Sequence, residues 1–293
     1  MTTAAQHQVR YVDVQHTPRR HARATEPEET QLDVGQPQTA RSEAGTALSQ
    51  DPDAASLRLA YREAGDPAAP VLLLLHALGE SSLSWDPLLG DLAALGYRAL
   101  APDARGHGDS DWPGQYSYEL MTADTLAFCA ALGVTDVTGL AVVGHSMGAV
   151  TAALVTTALN TTDDGAETST AASAPGPVTR LVLEDATPTR PGGPRFEPFD
   201  EPDHPVPFDW PLVNALRAQR SDPDPAWWDD ALRITAPVLV VAGGPSSNVD
   251  QAELADFTAG VARGKLVEIR VGHMVHDEAP DEFLAVVTDF LRR

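Results

Sequence analysis

The chain has 293 residues, 43% of them hydrophobic, which is enough for one sizeable buried core with room for an extension or an insertion. Its formal net charge is −22 at pH 7, and an acidic surface repels nucleic acid and anionic membranes, so the composition argues against both as partners. Cys129 is the only cysteine, which excludes an intramolecular disulfide. The sequence also lacks a membrane-spanning apolar run and an apolar signal sequence at its N-terminus, so we expect a cytoplasmic protein.

The predicted elements begin after an N-terminal extension. Residues 1–52 show no sustained hydrophobic periodicity and are rich in Thr, Gln, Glu, Pro, Ala and Arg, so we expect a disordered or loosely ordered segment. Strands are predicted for the short apolar runs at residues 56–62, 71–75, 97–101, 140–143, 181–183, 238–241 and 266–271. Helices are predicted where the spacing is helical, at residues 85–95, 118–132, 149–159, 250–262 and 281–291. This alternation predicts an α/β fold, in which a mostly parallel sheet carries helices on both faces.

A short glycine-rich sequence, Gly144-His145-Ser146-Met147-Gly148, stands between a predicted strand and a predicted helix. The pattern Gly-x-Ser-x-Gly in this setting is typical of a nucleophile elbow, a sharp turn with the serine at its apex. The glycines are needed because a Cβ there would collide with the neighbouring strand and helix. The serine would be exposed at the positive end of the helix, which predicts an enzyme with a serine nucleophile.

The elbow is one of four motifs that, taken in chain order, resemble those of the α/β-hydrolase superfamily. The resemblance covers residues 56–293. Residues 76–79 (HALG) stand at the place of the family's His-Gly oxyanion loop, and residues 102–110 (PDARGHGDS) resemble its P-D-x-R-G-x-G-x-S turn. The elbow follows, and residues 272–276 (GHMVH) resemble its catalytic histidine loop. In the family's strand numbering these motifs follow strands three, four, five and eight. The resemblance therefore implies an α/β-hydrolase fold.

In that numbering, residues 187–233 fall between strands six and seven and interrupt the alternation of strands and helices. They are rich in proline and aromatic residues, so we predict a small cap inserted after the sixth strand, with the hydrolase core formed by residues 53–186 and 234–293. The aromatic side chains would either line an apolar pocket or form the cap's own core. The candidate residues for a substrate pocket are His76, Trp210, Trp227 and Trp228.

The resemblance identifies His273 as the general base. A serine hydroxyl is a poor nucleophile at neutral pH, and a neutral imidazole can take its proton and later give it to the leaving group. His276, three residues further on, raises the idea of a two-histidine metal site, but no Glu or Asp stands at ligand spacing. We therefore expect His276 to be a packing or loop residue, His107 and His145 to be turn residues, and His76 to brace the oxyanion loop. No metal and no organic cofactor is implied.

In the family, a carboxylic acid completes a catalytic triad with the serine and the histidine. In this chain the position of that acid departs from the commonest family pattern. The commonest family pattern places an Asp a few residues after the seventh strand, but no carboxylate stands near Ser246. Asp250 is the first acid there and would serve as a helix N-cap. Some α/β-hydrolases, including a branch of the haloalkane dehalogenases, carry the acid after the sixth strand, where this chain has Glu184-Asp185. We prefer Asp185, then Asp250, then Glu184; a purely capping role for Asp185 stays open.

By the same resemblance, the oxyanion hole would consist of the backbone N–H groups of Met147 and Leu78. The leading interpretation is a serine hydrolase of an ester, lactone or thioester, with Ser146, His273 and Asp185 as its triad and a small apolar or aromatic molecule as substrate. The same triad in the family also supports C–C bond hydrolysis, perhydrolysis and acyl transfer, and some relatives only bind ligands. A serine at the elbow disfavours haloalkane dehalogenase and epoxide hydrolase chemistry, because those relatives use Asp there.

Overall fold

The computed structural model describes residues 7–15, 56–134, 139–160, 177–193 and 195–293. The strands of this part of the chain form one sheet: β1 (Arg10–Val14), β2 (Leu57–Ala64), β3 (Val71–Leu75), β4 (Arg98–Pro102), β5 (Leu140–His145), β6 (Val178–Glu184), β7 (Val238–Ala242) and β8 (Gly264–Glu268). Its helices are α1 (Asp86–Ala93), α2 (Tyr118–Ala131), α3 (Met147–Asn160), α4 (Pro211–Ser221), α5 (Pro225–Leu232), α6 (Gln251–Gly260), α7 (Val275–Glu278) and α8 (Pro280–Leu291).

The sheet is mostly parallel, in the order β1-β2-β4-β3-β5-β6-β7-β8. β2 pairs antiparallel with β1 and β4, and the pairs from β4 through β8 are parallel. The register places Gly144 opposite both Leu75 of β3 and Leu183 of β6. Because parallel strands end at the same edge, the loops after β3, β5, β6, β7 and β8 meet there, which is where ligands bind in open α/β sheets.

The central strands are buried on both faces. In β3, Leu73 belongs to a hydrophobic cluster that includes Phe128 of α2, and the next residue, Leu74, belongs to a cluster on the other face that includes Phe283 of α8. Alternate side chains of a strand point to opposite faces, so an unbroken apolar run such as 71–75 requires helices on both sides. This confirms the predicted fold class. No helix in the described ranges has the length and apolar character needed to cross a membrane.

The expectation that the N-terminal extension lacks regular structure is wrong for residues 10–14. Arg10–Val14 forms the antiparallel edge strand β1, the Val14 side chain is buried, and Arg10 forms a 2.9 Å ion pair with Glu63. A five-residue strand with one fully buried side chain leaves almost no periodic signal in the sequence, which is why it was missed. The rest of the predicted extension lies outside the described residues.

The segment after β6 carries α4 and α5 and packs against the core. Leu212 and Leu216 of α4 belong to one hydrophobic cluster with Met147 of α3 and Tyr118 of α2. The N–H of Asp209 donates a 2.8 Å hydrogen bond to the Gly106 carbonyl, in the turn after β4. The segment is therefore attached to the turn and helices that surround the elbow, whereas its limits as a cap of residues 187–233 remain a prediction.

We expect the substitution Val14→Asp to lower the free energy of unfolding by about 2 kcal/mol or more, because it places a charge in the core beneath β1. Tyr11→Asp is the matched control: the Tyr11 side chain is 55% exposed, so its replacement should change the unfolding free energy by only about 0.5 kcal/mol. Urea unfolding measures both. Equal, small effects of the two substitutions would show that β1 is not part of the folded core.

Candidate active site

The Gly-x-Ser-x-Gly sequence forms the sharp turn that its pattern predicts. Ser146 lies between β5 and α3 with a φ of 52°, a left-handed conformation that costs a non-glycine residue about 1–3 kcal/mol. A Cβ on Gly144 would lie 2.2 Å from the Gly148 carbonyl oxygen, and a Cβ on Gly148 would lie 2.1 Å from the carbonyl oxygen of Leu75. The backbone of this turn therefore requires glycine at both positions.

Three predicted residues meet at the apex of this turn. His273 follows β8, and its Nε2 lies 2.9 Å from the Ser146 hydroxyl oxygen. Its Nδ1 lies 2.7 Å from Oδ2 of Asp185, which follows β6 and is fully buried. The structure does not bring the two rival acids to His273: Asp250 caps α6 by accepting a hydrogen bond from the Ala252 N–H, and Glu184 pairs with another histidine.

The Asp185 carboxylate is surrounded by hydrogen-bond donors from the segment after β7. It accepts a 2.7 Å bond from the Gly243 N–H, a 3.1 Å bond from the Gln251 side chain and a bond from the Ser247 hydroxyl. Burial alone would raise the pKa of Asp185, but the hydrogen bonds from His273 and these donors outweigh it and hold the pKa below its ordinary value. Ser247 and Gln251 were not predicted, and no local sequence pattern marks them.

The loop after β3 is braced beside the elbow. His76 donates from Nδ1 to the Ala77 carbonyl at 2.7 Å, and its Nε2 accepts a 2.9 Å hydrogen bond from the Ala104 N–H. Burial lowers the pKa of His76, in keeping with the neutral ring that this pairing requires. Among the described residues, neither the Leu78 N–H nor the Met147 N–H donates to a protein acceptor, so both remain available to a ligand.

The predicted pocket tryptophans divide into two groups. Trp227 packs edge-on against Tyr118 and Trp228 against Phe257, each with ring centroids 5.5 Å apart, and both tryptophans are buried. Tyr118 and Phe257 lie outside residues 187–233, so these two tryptophans pack the segment against the rest of the fold rather than forming a core of its own. Trp210 instead packs in one cluster with Leu78 of the loop after β3.

Phe208 was not singled out from the sequence. Its ring stacks on Trp210 at 6.1 Å and reaches the loop after β3, where a Cβ on Gly79 would lie 3.3 Å from it. Gly79 has a φ of 84°, so glycine serves both the turn and this close approach. Phe208 therefore places an apolar ring beside the loop after β3.

A second buried polar cluster lies beside His273. His276 stacks on the Trp85 ring at 4.1 Å, as expected of a packing residue, but its Nδ1 also lies 2.8 Å from a carboxylate oxygen of Glu184. Burial lowers the pKa of His145, but the carboxylates of Glu184 and Glu80 outweigh it and raise this pKa to about 9. Burial likewise raises the pKa of Glu80, and the interaction with His145 overrides it, giving a pKa of about 2.

We expect Asp185 to make stability depend on pH in one direction. Because its native pKa is depressed, its contribution is complete above the ordinary Asp value of about 3.9 and is lost as the pH falls through the lower native value. The stability advantage of the wild type over Asp185→Asn should therefore persist down to about pH 5 and shrink as the pH approaches about 3. Urea unfolding at a series of pH values measures this difference, and an advantage that grew on acidification would contradict the assignment.

Comparison with known proteins identifies a family for this chain. Residues 72–286 match the family model described as "Alpha/beta hydrolase family". The sn-1-specific diacylglycerol lipase ABHD11 of Mus musculus is 26% identical over 272 residues, which cover 78% of this chain and 82% of that protein. Epoxide hydrolase A of Mycobacterium tuberculosis is 39% identical over 101 residues, which cover 33% of this chain and only 30% of that protein. These relatives are hydrolases.

Solved structures show the same fold. The enol-lactonase from Burkholderia xenovorans matches with a TM-score of 0.61 at 21% identity, covering 81% of this chain and 97% of that chain. A hydrolase from Pseudomonas aeruginosa matches with a TM-score of 0.62 at 24% identity, covering 81% of this chain and 96% of that chain. Because the family match extends over most of the chain, from β3 to α8, the protein belongs to the alpha/beta hydrolase family.

Proposed function

We propose that this protein is a serine hydrolase that cleaves a carboxylic ester, lactone or thioester through an acyl-enzyme. The observation that carries the proposal is the unbroken hydrogen-bonded series from Asp185 through His273 to the Ser146 hydroxyl, with separations of 2.7 and 2.9 Å. A base within hydrogen-bond reach of a hydroxyl, and itself oriented by a carboxylate, is the arrangement that activates serine.

In the first half of the reaction, Ser146 Oγ attacks the substrate carbonyl carbon while His273 Nε2 takes the hydroxyl proton. The carbonyl oxygen becomes an oxyanion, and the N–H groups of Met147 and Leu78 are the donors proposed to hold it. One such donor is typically worth a factor of about 10²–10³ in rate. His273 then gives the proton to the leaving group as the tetrahedral intermediate collapses to the acyl-enzyme.

In the second half, water attacks the acyl-enzyme with His273 again as general base, and Ser146 is released with its proton restored. Asp185 keeps the proton of the neutral imidazole on Nδ1, so that Nε2 faces Ser146, and it stabilises the imidazolium formed in each half. The low pKa of Asp185 keeps the carboxylate ionised for this role throughout the neutral range.

The surroundings of the site favour an apolar or aromatic small-molecule substrate. Phe208 and Trp210 pack beside Leu78, next to the position proposed for the oxyanion. The similarity to a diacylglycerol lipase and an enol-lactonase supports a carboxylic ester or lactone as the scissile group. The similarity to an epoxide hydrolase supports hydrolysis in general, whereas the hydroxyl of Ser146 fits acyl transfer to serine and then to water.

We expect a fluorophosphonate probe to label the wild-type protein at Ser146, because the paired His273 makes this hydroxyl nucleophilic. Peptide mapping by mass spectrometry identifies the labelled residue. Ser146→Ala should abolish labelling, and Ser110→Ala, which alters a buried serine in the turn after β4, should leave labelling at Ser146. A wild-type protein that is folded and resists the probe would contradict the proposal.

We expect Asp185→Asn to lower kcat for a p-nitrophenyl ester by about 10³–10⁴-fold, because an amide facing Nδ1 favours the wrong tautomer of His273. Asp250→Asn is the matched control: asparagine caps helices as well as aspartate does, so turnover should stay near the wild-type value. The opposite ranking, with activity lost only in Asp250→Asn, would show that the acid has been assigned to the wrong strand.

A further inference from the structure

A second group of ionisable side chains converges next to the triad. Glu80 lies in the loop after β3, His145 ends β5 and His276 lies in α7. One potential ligand atom from each lies within 4.8 Å of the other two, and His145 Nδ1 is 3.5 Å from Glu80 Oε2. The ring centroids of the two histidines are 5.1 Å apart and their planes are nearly perpendicular, so the rings do not block one another.

One ring nitrogen of each histidine already has a hydrogen-bond partner. His145 Nε2 lies 2.9 Å from the His273 carbonyl oxygen, which can only accept, so Nε2 carries a proton. His276 Nδ1 lies 2.8 Å from the Glu184 carboxylate and carries a proton for the same reason. The other ring nitrogen of each histidine, His145 Nδ1 or His276 Nε2, is buried and has no hydrogen-bond partner among the described residues.

Three carboxylates lie next to the two histidines. Glu184 is fully buried, the Glu80 side chain is 15% exposed, and Asp277 Oδ1 lies 3.8 Å from His276 Nε2. Within the described ranges, each of these three carboxylates forms ion pairs with histidine only, and none with arginine or lysine. A buried carboxylate is stabilised by a nearby cation, and here either a protonated histidine or a bound metal ion can supply that positive charge.

We propose that Glu80, His145 and His276 form a binding site for a divalent transition metal, with Zn²⁺ as the best-fitting ion. Two imidazoles and a carboxylate are a donor set that zinc uses. Metal-binding histidines almost always donate their other N–H to a carboxylate or a backbone carbonyl, which is what Glu184 and the His273 carbonyl provide here.

The dimensions are compatible with such a site. Zinc bonds of about 2.0–2.2 Å in a tetrahedron separate neighbouring ligand atoms by about 3.4 Å. The 3.5 Å between His145 Nδ1 and Glu80 Oε2 is already close to that value. The ligand atom of His276 lies within 4.8 Å of the other two, so it would have to approach by at most about 1.4 Å. Asp277 is 41% exposed, so its side of the group is open to solvent and can supply the fourth ligand or admit a water.

The ion would act as a structural link rather than in the chemistry of Ser146. Glu80 also accepts a 3.2 Å hydrogen bond from the Ala77 N–H in the oxyanion loop, and His145 holds the carbonyl of His273. A metal bound to Glu80, His145 and His276 would therefore connect the oxyanion loop, the elbow and the histidine loop. The proposal does not depend on which substrate the triad takes.

Titration of the full-length chain with Co²⁺ after treatment with a chelator tests the proposal without an activity assay. We expect one Co²⁺ per chain with the visible absorption of a tetrahedral site, displaced by one equivalent of Zn²⁺. His276→Ala should weaken binding more than about 100-fold, and Glu184→Gln, which removes only the supporting carboxylate, should weaken it by about 10–100-fold. His273→Ala and His204→Ala are matched histidine controls and should keep the site.

The proposal is overturned if micromolar Co²⁺ or Zn²⁺ does not bind to the wild-type chain, because the group then holds only protons. It is also overturned if binding is equal in the wild type and in His276→Ala, or is lost in His273→Ala, because either result places the ion elsewhere. If His276→Ala does not fold, Glu80→Gln and Glu184→Gln decide the matter, because unchanged affinity in both contradicts the site.

Discussion

The hydrogen bond between Asp185 and His273 is the contact on which the geometry of the site depends. It joins the end of β6 to the loop after β8, and the segment after β7 supplies further donors to the same carboxylate. Asp185 reaches this position with a φ of 45°, and Ser146 has a similar left-handed backbone, so strained residues end two neighbouring strands. The parallel sheet supports both, because β5 and β6 are paired directly up to these residues.

A second set of contacts reaches the same histidine from the opposite side. Asp185 holds the imidazole of His273, whereas His145 holds its backbone carbonyl. His145 directly precedes Ser146 in the chain, so one short segment positions both Ser146 and the loop that carries His273. Glu80 extends these contacts to the loop after β3 through the Ala77 N–H. The three loops that carry the proposed chemistry are thus connected by polar contacts that do not include the reacting atoms.

The sequence predicts the parts of this arrangement that are set by local sterics. The elbow follows from two glycines that no Cβ can replace, and the central strands follow from apolar runs buried on both faces. Asp185 was the preferred acid because some α/β-hydrolases carry the acid after the sixth strand, and the structure brings its carboxylate to His273. The parts that the sequence did not predict depend on contacts between distant residues. Ser247 approaches Asp185 from 62 residues away, and the edge strand β1 is too short to show a period.

The surroundings of the clustered histidines and of the tryptophans also depend on contacts between residues that are distant in the sequence. His276 was compared only with nearby acids, whereas Glu184 and Glu80 come from other strands, and only the sheet topology brings them to it. Trp227 and Trp228 are chemically suited to either a pocket or a core, and the choice depends on where Tyr118 and Phe257 lie.

The central claim, that Ser146 carries the acyl group during turnover, is tested most directly by trapping that intermediate. The protein is mixed with a p-nitrophenyl ester, quenched in acid within the first turnovers and examined by mass spectrometry, intact and after digestion. The account predicts one added acyl group per chain, located on the peptide that contains Ser146. Steady hydrolysis with the acyl group on another residue, or with no covalent adduct under conditions where deacylation is rate-limiting, would contradict it.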